Sequence, residues 1–208
     1  MTRPALVYVH GLWHRGWESW WLRRQLAPEF EFHGYHYPSV SAPLHAVCAG
    51  LRDFVARIDA PTVHFLGHSL GGIVIHRYLG ESPPPQPGRV VLLGSPMAGS
   101  AVAVSAARTR WVRPLLGRCI LEELLVAPAR QWTDPRPLGL IAGTCALGQG
   151  HLFTRFREPN DGVVALSETQ VPGATARITV PATHLGLLFS TRVVRNIACF
   201  LHEGRFLP

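Results

Sequence analysis

The run Gly67-His68-Ser69-Leu70-Gly71 places a serine between two glycines at the spacing Gly-x-Ser-x-Gly. An apolar, β-prone run at 62–66 precedes this motif, and a helical pattern at 73–79 follows it. In such a context the serine sits on a sharp strand-to-helix turn that projects its hydroxyl into a cleft. Glycines suit the flanking positions because the strand and the helix approach each other closely there. The pattern predicts that Ser69 is a nucleophile, and a plain glycine-rich turn is the alternative.

A serine hydroxyl becomes a good nucleophile only when a base takes its proton. His184 follows the β-prone run at 176–180 and precedes a helical run at 185–201, so it is the predicted general base. The alternative is a hydrogen-bonded histidine that caps the last helix. His202 lies in the tail of that helix and is predicted to be a surface residue.

An acid should orient this histidine, and the chain contains only four aspartates that could do so. Asp53 and Asp59 fall in a predicted helix before the serine, and Asp134 precedes the fifth predicted strand. Asp161 follows that strand, in the segment Asn160-Asp161-Gly162, and is the predicted acid. An Asx turn is the alternative interpretation of that segment, and Glu158 is the second candidate acid.

Six β-prone runs must position these side chains. They lie at 5–9, 32–37, 62–66, 89–93, 138–142 and 176–180, and segments with helical spacing separate them. Several runs are apolar at consecutive positions, which is typical of parallel strands covered on both faces. The alternation predicts a three-layer α/β fold with about six mostly parallel strands and helices on both faces. Ligands bind beyond the carboxyl ends of such strands, where the reactive residues gather.

The sequence resembles the α/β-hydrolase superfamily, and within it the small bacterial lipases and esterases with the motif Gly-His-Ser-Leu-Gly-Gly. The resemblance extends from His10 to His184. It implies a triad in the chain order Ser69, Asp161, His184, and similar lipases carry the acid in an Asn-Asp-Gly segment. Such lipases often bind calcium through an aspartate just after the histidine. Leu185 stands there in this chain, so no metal or other cofactor is expected.

The resemblance also implies an oxyanion hole, whose N–H donors stabilise the tetrahedral intermediate. The N–H of Leu70 is one donor, because it follows the nucleophile. The segment His10-Gly11-Leu12-Trp13 follows the first predicted strand and is similar to the family's His-Gly signature, so the backbone N–H of Leu12 is the second expected donor. We expect His10, Gly11 and His68 to support these loops without carrying protons.

Two other parts of the chain are expected to shape the substrate pocket. Trp13 and Met97 are predicted to line it, whereas core packing is predicted for most of Trp13, Trp17, Trp20 and Trp21. Residues 97–136 lie where this superfamily inserts caps, and Leu115 to Leu125 predict an amphipathic helix there. These features predict an apolar cleft that is either covered by a small lid or left without a cap.

Composition indicates one domain spanning 1–208, because 47% of the 208 residues are hydrophobic and no composition shift divides them. The net charge is +7 and every basic side chain is arginine or histidine. Because the arginines are scattered along the sequence, we expect them to lie on a solvated face, and we expect no nucleic-acid partner. A patch that attracts phosphate or lipid headgroups is the alternative, and it would allow weak contact with a lipid interface.

The four cysteines, Cys48, Cys119, Cys145 and Cys199, show no metal-ligand or CxxC spacing, so free and mostly buried thiols are predicted. The charged start and the short first apolar run do not match a signal peptide. We therefore expect a cytoplasmic protein.

The leading hypothesis from the sequence is a serine carboxylic-ester hydrolase that forms an acyl-enzyme on Ser69, with a small-molecule acyl ester as substrate. An acyltransferase with the same triad, in which an alcohol intercepts the acyl-enzyme, is the alternative. A non-catalytic lipid-binding module on the same fold is a third hypothesis. Haloalkane dehalogenases and epoxide hydrolases share this fold but place aspartate at the elbow, so they are disfavoured.

Overall fold

One sheet of six parallel strands organises the computed structural model, which describes residues 3–123 and 130–208. The strands follow the spatial order β2-β1-β3-β4-β5-β6. Their bounds are β1 Ala5–Val9, β2 Glu31–Tyr35, β3 Val63–His68, β4 Val90–Leu93, β5 Leu138–Gly143 and β6 Ala176–Val180. The predicted parallel sheet is confirmed. The third strand extends through His68, beyond the predicted end, so that Ser69 follows the strand directly.

Helices cover both faces of this sheet, as the consecutive apolar residues of its central strands require. Their bounds are α1 Trp20–Leu26, α2 Leu44–Val55, α3 Leu70–Glu81, α4 Ala101–Arg108, α5 Arg113–Glu123 and α6 Thr191–Glu203. One core lies between the sheet and α2 and α3, and a second lies between the sheet and α1 and α6. The predicted three-layer α/β arrangement is therefore confirmed.

The last predicted helix is divided in the structure. A short 3-10 helix at Gly186–Phe189 is followed by Ser190 in extended backbone, and α6 begins after it. The Ser190 hydroxyl accepts a hydrogen bond from the Val193 N–H at 3.4 Å. A continuous helix over 185–201 is thus wrong, because Ser190 caps the new helix and satisfies one of its free N–H groups.

Two short helices, α4 and α5, occupy the segment between β4 and β5. The predicted amphipathic helix corresponds to α5, although Leu124 and Leu125 lie outside the described residues. The chain kinks within α5 at Gly117, where φ is +76°. A Cβ there would lie 2.7 Å from the Cα of Val40, so this close approach requires glycine.

The tryptophans after β1 do not pack as predicted. Trp17 and Trp20 are 71% and 56% exposed, whereas Trp21 packs partly against the core beneath α1 and α6. The core-facing positions of α1 belong to Leu22 and Leu26, which are fully buried. Trp17 lies in the 3-10 helix before α1, and Trp20 meets only the ring of Phe189 among the aromatic contacts of the described residues, with the centroids 6.4 Å apart, so both side chains stay on the outer surface.

In the residues that the structure describes, no helix combines the length and the apolar character needed to cross a membrane. All four cysteines are free, and Cys48 and Cys119 are buried while Cys145 and Cys199 are partly exposed.

A buried histidine at the far end of the sheet links stability to pH. His64 is almost inaccessible, and its Nδ1 accepts a hydrogen bond from the Arg89 N–H at 2.9 Å. Burial, followed by the repulsion from Arg89, lowers the pKa of His64 to about 4. Between pH 6.5 and 4 the unfolded chain therefore binds a proton that the folded chain excludes, and acidification favours unfolding.

We expect the free energy of unfolding to decrease by about 1.4 kcal/mol per pH unit from His64 alone as the pH falls from about 6.5 to about 4. The variant His64→Asn, which keeps a side-chain acceptor, should reduce this slope. Urea denaturation at several pH values measures it, with His45→Asn on the exposed face of α2 as the matched control. Equal slopes in both variants would contradict this account.

Candidate active site

Ser69 occupies a strained turn between β3 and α3. Its φ is +54° and its ψ is −123°, and Trp13 is the other non-glycine residue of the described ranges with a positive φ. The Ser69 N–H donates to the Leu93 carbonyl at 2.9 Å, and the Ser69 carbonyl accepts from the Gly72 N–H at 3.1 Å. Such strain persists only where the surroundings enforce it, and it concentrates at functional sites. The expected strand–turn–helix context of the motif is therefore present.

The first turn of α3 lies against the end of β1. A Cβ at Gly71 would fall 2.0 Å from the Val9 carbonyl oxygen, so only glycine fits. Gly11 lies on the other side of the turn, where an added Cβ would be 3.1 Å from the Cβ of Ser69. These contacts bring the loop after β1 alongside the serine.

Asp161 and His184 form a buried hydrogen-bonded pair. The imidazole Nδ1 lies 2.6 Å from Asp161 Oδ2, and the His184 backbone N–H donates to the Asp161 carbonyl at 2.8 Å. The second carboxylate oxygen accepts the N–H groups of Val163 and Val164 at 3.0 and 2.8 Å. Because the carboxylate faces Nδ1, the proton is held on that nitrogen and Nε2 is left unprotonated. Asp161 is 1% exposed, so water does not compete for it.

The other acidic candidates lie elsewhere. Glu158 accepts hydrogen bonds from the backbone N–H and the hydroxyl of Ser167, at 2.9 and 2.7 Å. Asp134 pairs with Arg136 at 2.9 Å, ahead of β5. Asp161 is thus the acid that the fold brings to His184, as the order of the strands predicted.

His68, within the motif, contacts His184. It is fully buried, and its Nε2 lies 3.1 Å from the His184 carbonyl oxygen, to which it donates. Burial and the nearby His184 hold the pKa of His68 well below its usual value, so the ring is neutral. A neutral ring with its proton on Nε2 serves as a fixed hydrogen-bond donor to the His184 carbonyl.

The expected oxyanion donors lie beside the serine. Leu70 is the first residue of α3, so its N–H has no acceptor within the helix. Leu12 and Leu70 both border the cavity that contains Ser69. His10 holds the loop, because its Nδ1 lies 2.8 Å from the Gly11 carbonyl and its ring stacks on Tyr37 at 4.3 Å. Burial lowers the pKa of His10, so it too is neutral at pH 7.

A cavity of about 290 Å³ opens above these residues. Ser69, His184, Leu12 and Trp13 line it at one end. Helices α4 and α5 supply an apolar wall, which comprises Val102, Ala103, Ala106, Leu116 and Ile120. The Trp13 indole N–H donates to the Leu115 carbonyl at 2.8 Å and so ties the loop after β1 to that wall. Within the segment 97–136, the described residues that border the cavity therefore lie between Ser100 and Ile120.

Met97 is placed differently from the prediction. It is fully buried and belongs to the core beneath α2 and α3, and it is not among the residues that line the cavity. Its neighbours Pro96 and Ser100 line the cavity instead. The segment leaves the sheet at this point, and the larger Met97 side chain fills the core while the smaller residues face the opening.

The sequence reasoning missed His14, which also lines the cavity. Its Nδ1 lies 3.7 Å from the carboxylate of Glu18, which is buried although glutamate is normally exposed. A histidine and a glutamate four positions apart, directly after the expected oxyanion segment, are the sequence signal for this pair. The tryptophans of the same stretch are the more conspicuous pattern in the sequence.

Comparison with known proteins places this chain in a family. Residues 6–197 match a family model described as the alpha/beta hydrolase family. The chain belongs to the alpha/beta hydrolase family. No curated protein sequence matches the chain.

Solved structures of this fold resemble the alpha/beta hydrolase chain over nearly its whole length. The mature Bacillus licheniformis lipase BlEst2 superposes with a TM-score of 0.65 at 19% identity, covering 98% of this chain and 93% of the lipase. The pyrethroid hydrolase PytH superposes with a TM-score of 0.64 at 16% identity, covering 98% of this chain and 99% of PytH. The type II thioesterase BorB from the borrelidin biosynthetic cluster superposes with a TM-score of 0.63 at 17% identity, covering 97% of this chain and 92% of BorB. At these identities the likeness shows the fold.

We expect Ser69 to react with a fluorophosphonate probe. Replacing Asp161 by Asn removes the charge that holds the proton on Nδ1, so the rate of Ser69 labelling should fall by about 10³- to 10⁴-fold. Time-resolved labelling followed by intact-protein mass spectrometry measures this rate.

Asp134→Asn is the matched control, because Asp134 is a buried, paired carboxylate outside the cavity. Its labelling rate per folded molecule should equal that of the wild type. An unchanged rate in Asp161→Asn would contradict the role given to the pair.

Proposed function

We propose that this alpha/beta hydrolase is a serine carboxylic-ester hydrolase that acts through an acyl-enzyme on Ser69. The observation that carries the proposal is the 2.6 Å contact between Asp161 and His184, whose side chain lines the same cavity as Ser69, a serine with φ of +54°. A buried acid that holds Nδ1 protonated leaves the other imidazole nitrogen free to accept a serine proton. The printed names of the solved neighbours, a lipase, a pyrethroid hydrolase and a thioesterase, are compatible with this proposal.

In the first half of the proposed reaction, the Ser69 oxygen attacks the ester carbonyl carbon while His184 takes the hydroxyl proton. The carbonyl oxygen becomes an oxyanion, which accepts hydrogen bonds from the backbone N–H groups of Leu12 and Leu70. The bond to the alkoxy oxygen then breaks, and His184 donates its proton to the departing alcohol. An acyl group remains on Ser69.

In the second half, water replaces the alcohol. His184 takes a proton from the water as the oxygen attacks the acyl carbon, and the same two N–H groups stabilise the second oxyanion. The bond to the Ser69 oxygen breaks, the serine recovers the proton from His184, and the carboxylic acid leaves. Asp161 stays ionised throughout and stabilises the imidazolium.

The walls of the cavity favour an apolar acyl ester as substrate. Beyond the reacting residues, most of the lining side chains are aliphatic or aromatic, including Val112, Leu116, Ile120, Leu147 and Phe153. A cavity of about 290 Å³ holds a chain of moderate length. Burial of each methylene contributes about 0.8 kcal/mol, so affinity should rise with chain length until the cavity is full.

An acyltransferase remains the second candidate function, because the same apolar walls would admit an alcohol to the acyl-enzyme. The two activities differ in which nucleophile completes the second half-reaction. Added alcohol would divert most of the acyl group into a new ester if transfer were the activity, whereas free acid would dominate for a hydrolase. Product analysis with increasing alcohol in water separates them.

A series of p-nitrophenyl esters from acetate to decanoate tests the proposal. We expect kcat/KM to rise with chain length to a maximum and then fall, and we expect Ser69→Ala to lose at least about 10³-fold in kcat. Ser167→Ala is the matched control, because Ser167 is exposed and hydrogen-bonded to Glu158 away from the cavity. A wild-type protein that neither cleaves any ester of the series nor reacts with a fluorophosphonate would exclude the proposal.

A further inference from the structure

A second acid–histidine pair contributes its histidine to the cavity wall. His14 lies one residue beyond Trp13, on the loop after β1, and its side chain is 23% exposed where it lines the cavity. Its ring meets that of His68 edge-on, with the centroids 6.1 Å apart. Because His68 in turn contacts His184, His14 stands near the proposed base without belonging to the proposed triad.

The acid of this second pair is buried beneath the loop. Glu18 is 2% exposed, and its Oε1 accepts a hydrogen bond from the Tyr8 hydroxyl at 3.1 Å. Its Oε2 makes no hydrogen bond within 3–123 and 130–208, and it lies 3.7 Å from His14 Nδ1. Removing a carboxylate from water is costly unless a partner compensates. The neighbouring imidazole is the group in a position to do so.

This placement sets the chemistry that His14 offers to a ligand. The carboxylate favours the proton on Nδ1, which leaves a lone pair on Nε2. Burial lowers the pKa of His14 by more than the Glu18 carboxylate raises it, and the nearby His184 lowers it further, so the ring is neutral at pH 7. Nε2 has no hydrogen-bond partner among the described residues. His14 therefore presents an unused hydrogen-bond acceptor.

We propose that His14, oriented by Glu18, accepts a hydrogen bond from the substrate, so that the cavity selects esters that carry a hydroxyl group beside their apolar chain. The inference rests on the proposed esterase function and adds a specificity-determining contact to it. Most of the cavity wall offers no competing acceptor, because it is aliphatic or aromatic. A neutral hydrogen bond of this kind changes kcat/KM by about three- to tenfold.

Two pairs of nearly isosteric esters test this selection. On the acyl side, p-nitrophenyl 3-hydroxybutanoate is compared with p-nitrophenyl 3-methylbutanoate, in which a methyl group replaces the hydroxyl. On the alcohol side, 2-hydroxyethyl butanoate is compared with propyl butanoate. We expect the wild type to prefer the hydroxyl member of at least one pair by about three- to tenfold in kcat/KM.

Substitutions of His14 and Glu18 test whether these two residues cause the preference for the hydroxyl-bearing ester. His14→Phe keeps a ring but removes the acceptor, so the preference should disappear while the methyl-bearing ester is still cleaved. Glu18→Gln keeps an oxygen for Tyr8 but removes the charge that holds the Nδ1 proton, so the preference should fall here too. His202→Phe and Glu29→Gln are the matched controls, because these residues form an exposed histidine–glutamate pair at 2.8 Å and neither of them lines the cavity.

Each outcome decides the inference. A wild type that cleaves both members of both pairs equally would overturn it and leave the esterase proposal intact. A hydroxyl preference that persists in His14→Phe would also overturn it, since another residue would then bind the hydroxyl. If His14→Phe fails to fold, as judged by circular dichroism and fluorophosphonate labelling, the Glu18→Gln ratio decides. A wild type without esterase activity would instead refute the proposed function itself.

Discussion

The close approach of α3 to the end of β1 is the constraint on which the site depends. Gly71 leaves no room for a side chain beside the Val9 carbonyl, and the turn before it holds Ser69 at a positive φ. This contact places the N-terminus of α3 next to the loop that carries Leu12 and His14. The serine, the free N–H groups and the second histidine therefore meet in one cavity because the helix begins so close to the first strand.

Burial determines how the histidines around this turn behave. His10 and His68 are enclosed, which lowers the pKa of each ring and keeps it neutral, so they act as fixed donors and acceptors within the loops. His184 has a buried carboxylate 2.6 Å from its Nδ1. His14 has a weaker version of the same arrangement, with Glu18 at 3.7 Å. The hydrogen-bonding properties of these histidines thus depend on whether a carboxylate lies beside the ring.

Much of the fold and of the candidate site could be predicted because both depend on local pattern and chain order. Consecutive apolar residues identified the buried parallel strands, and the edge at which each strand ends selected Asp161 over Asp134. The division of the last helix at Ser190 was missed, since the apolar spacing continues across it. Trp17 and Met97 were misassigned because hydrophobic type does not tell which face an isolated side chain takes.

By itself, the sequence determined the class of fold, the sharp turn at Ser69 and the residues able to serve as base and acid. These follow from spacing, from the scarcity of aspartate and from the direction of parallel strands. The tertiary structure alone decided that α4 and α5 wall the cavity and that Met97 lies outside it. It also decided that Glu18 is buried behind His14, because burial depends on contacts between segments far apart in the chain.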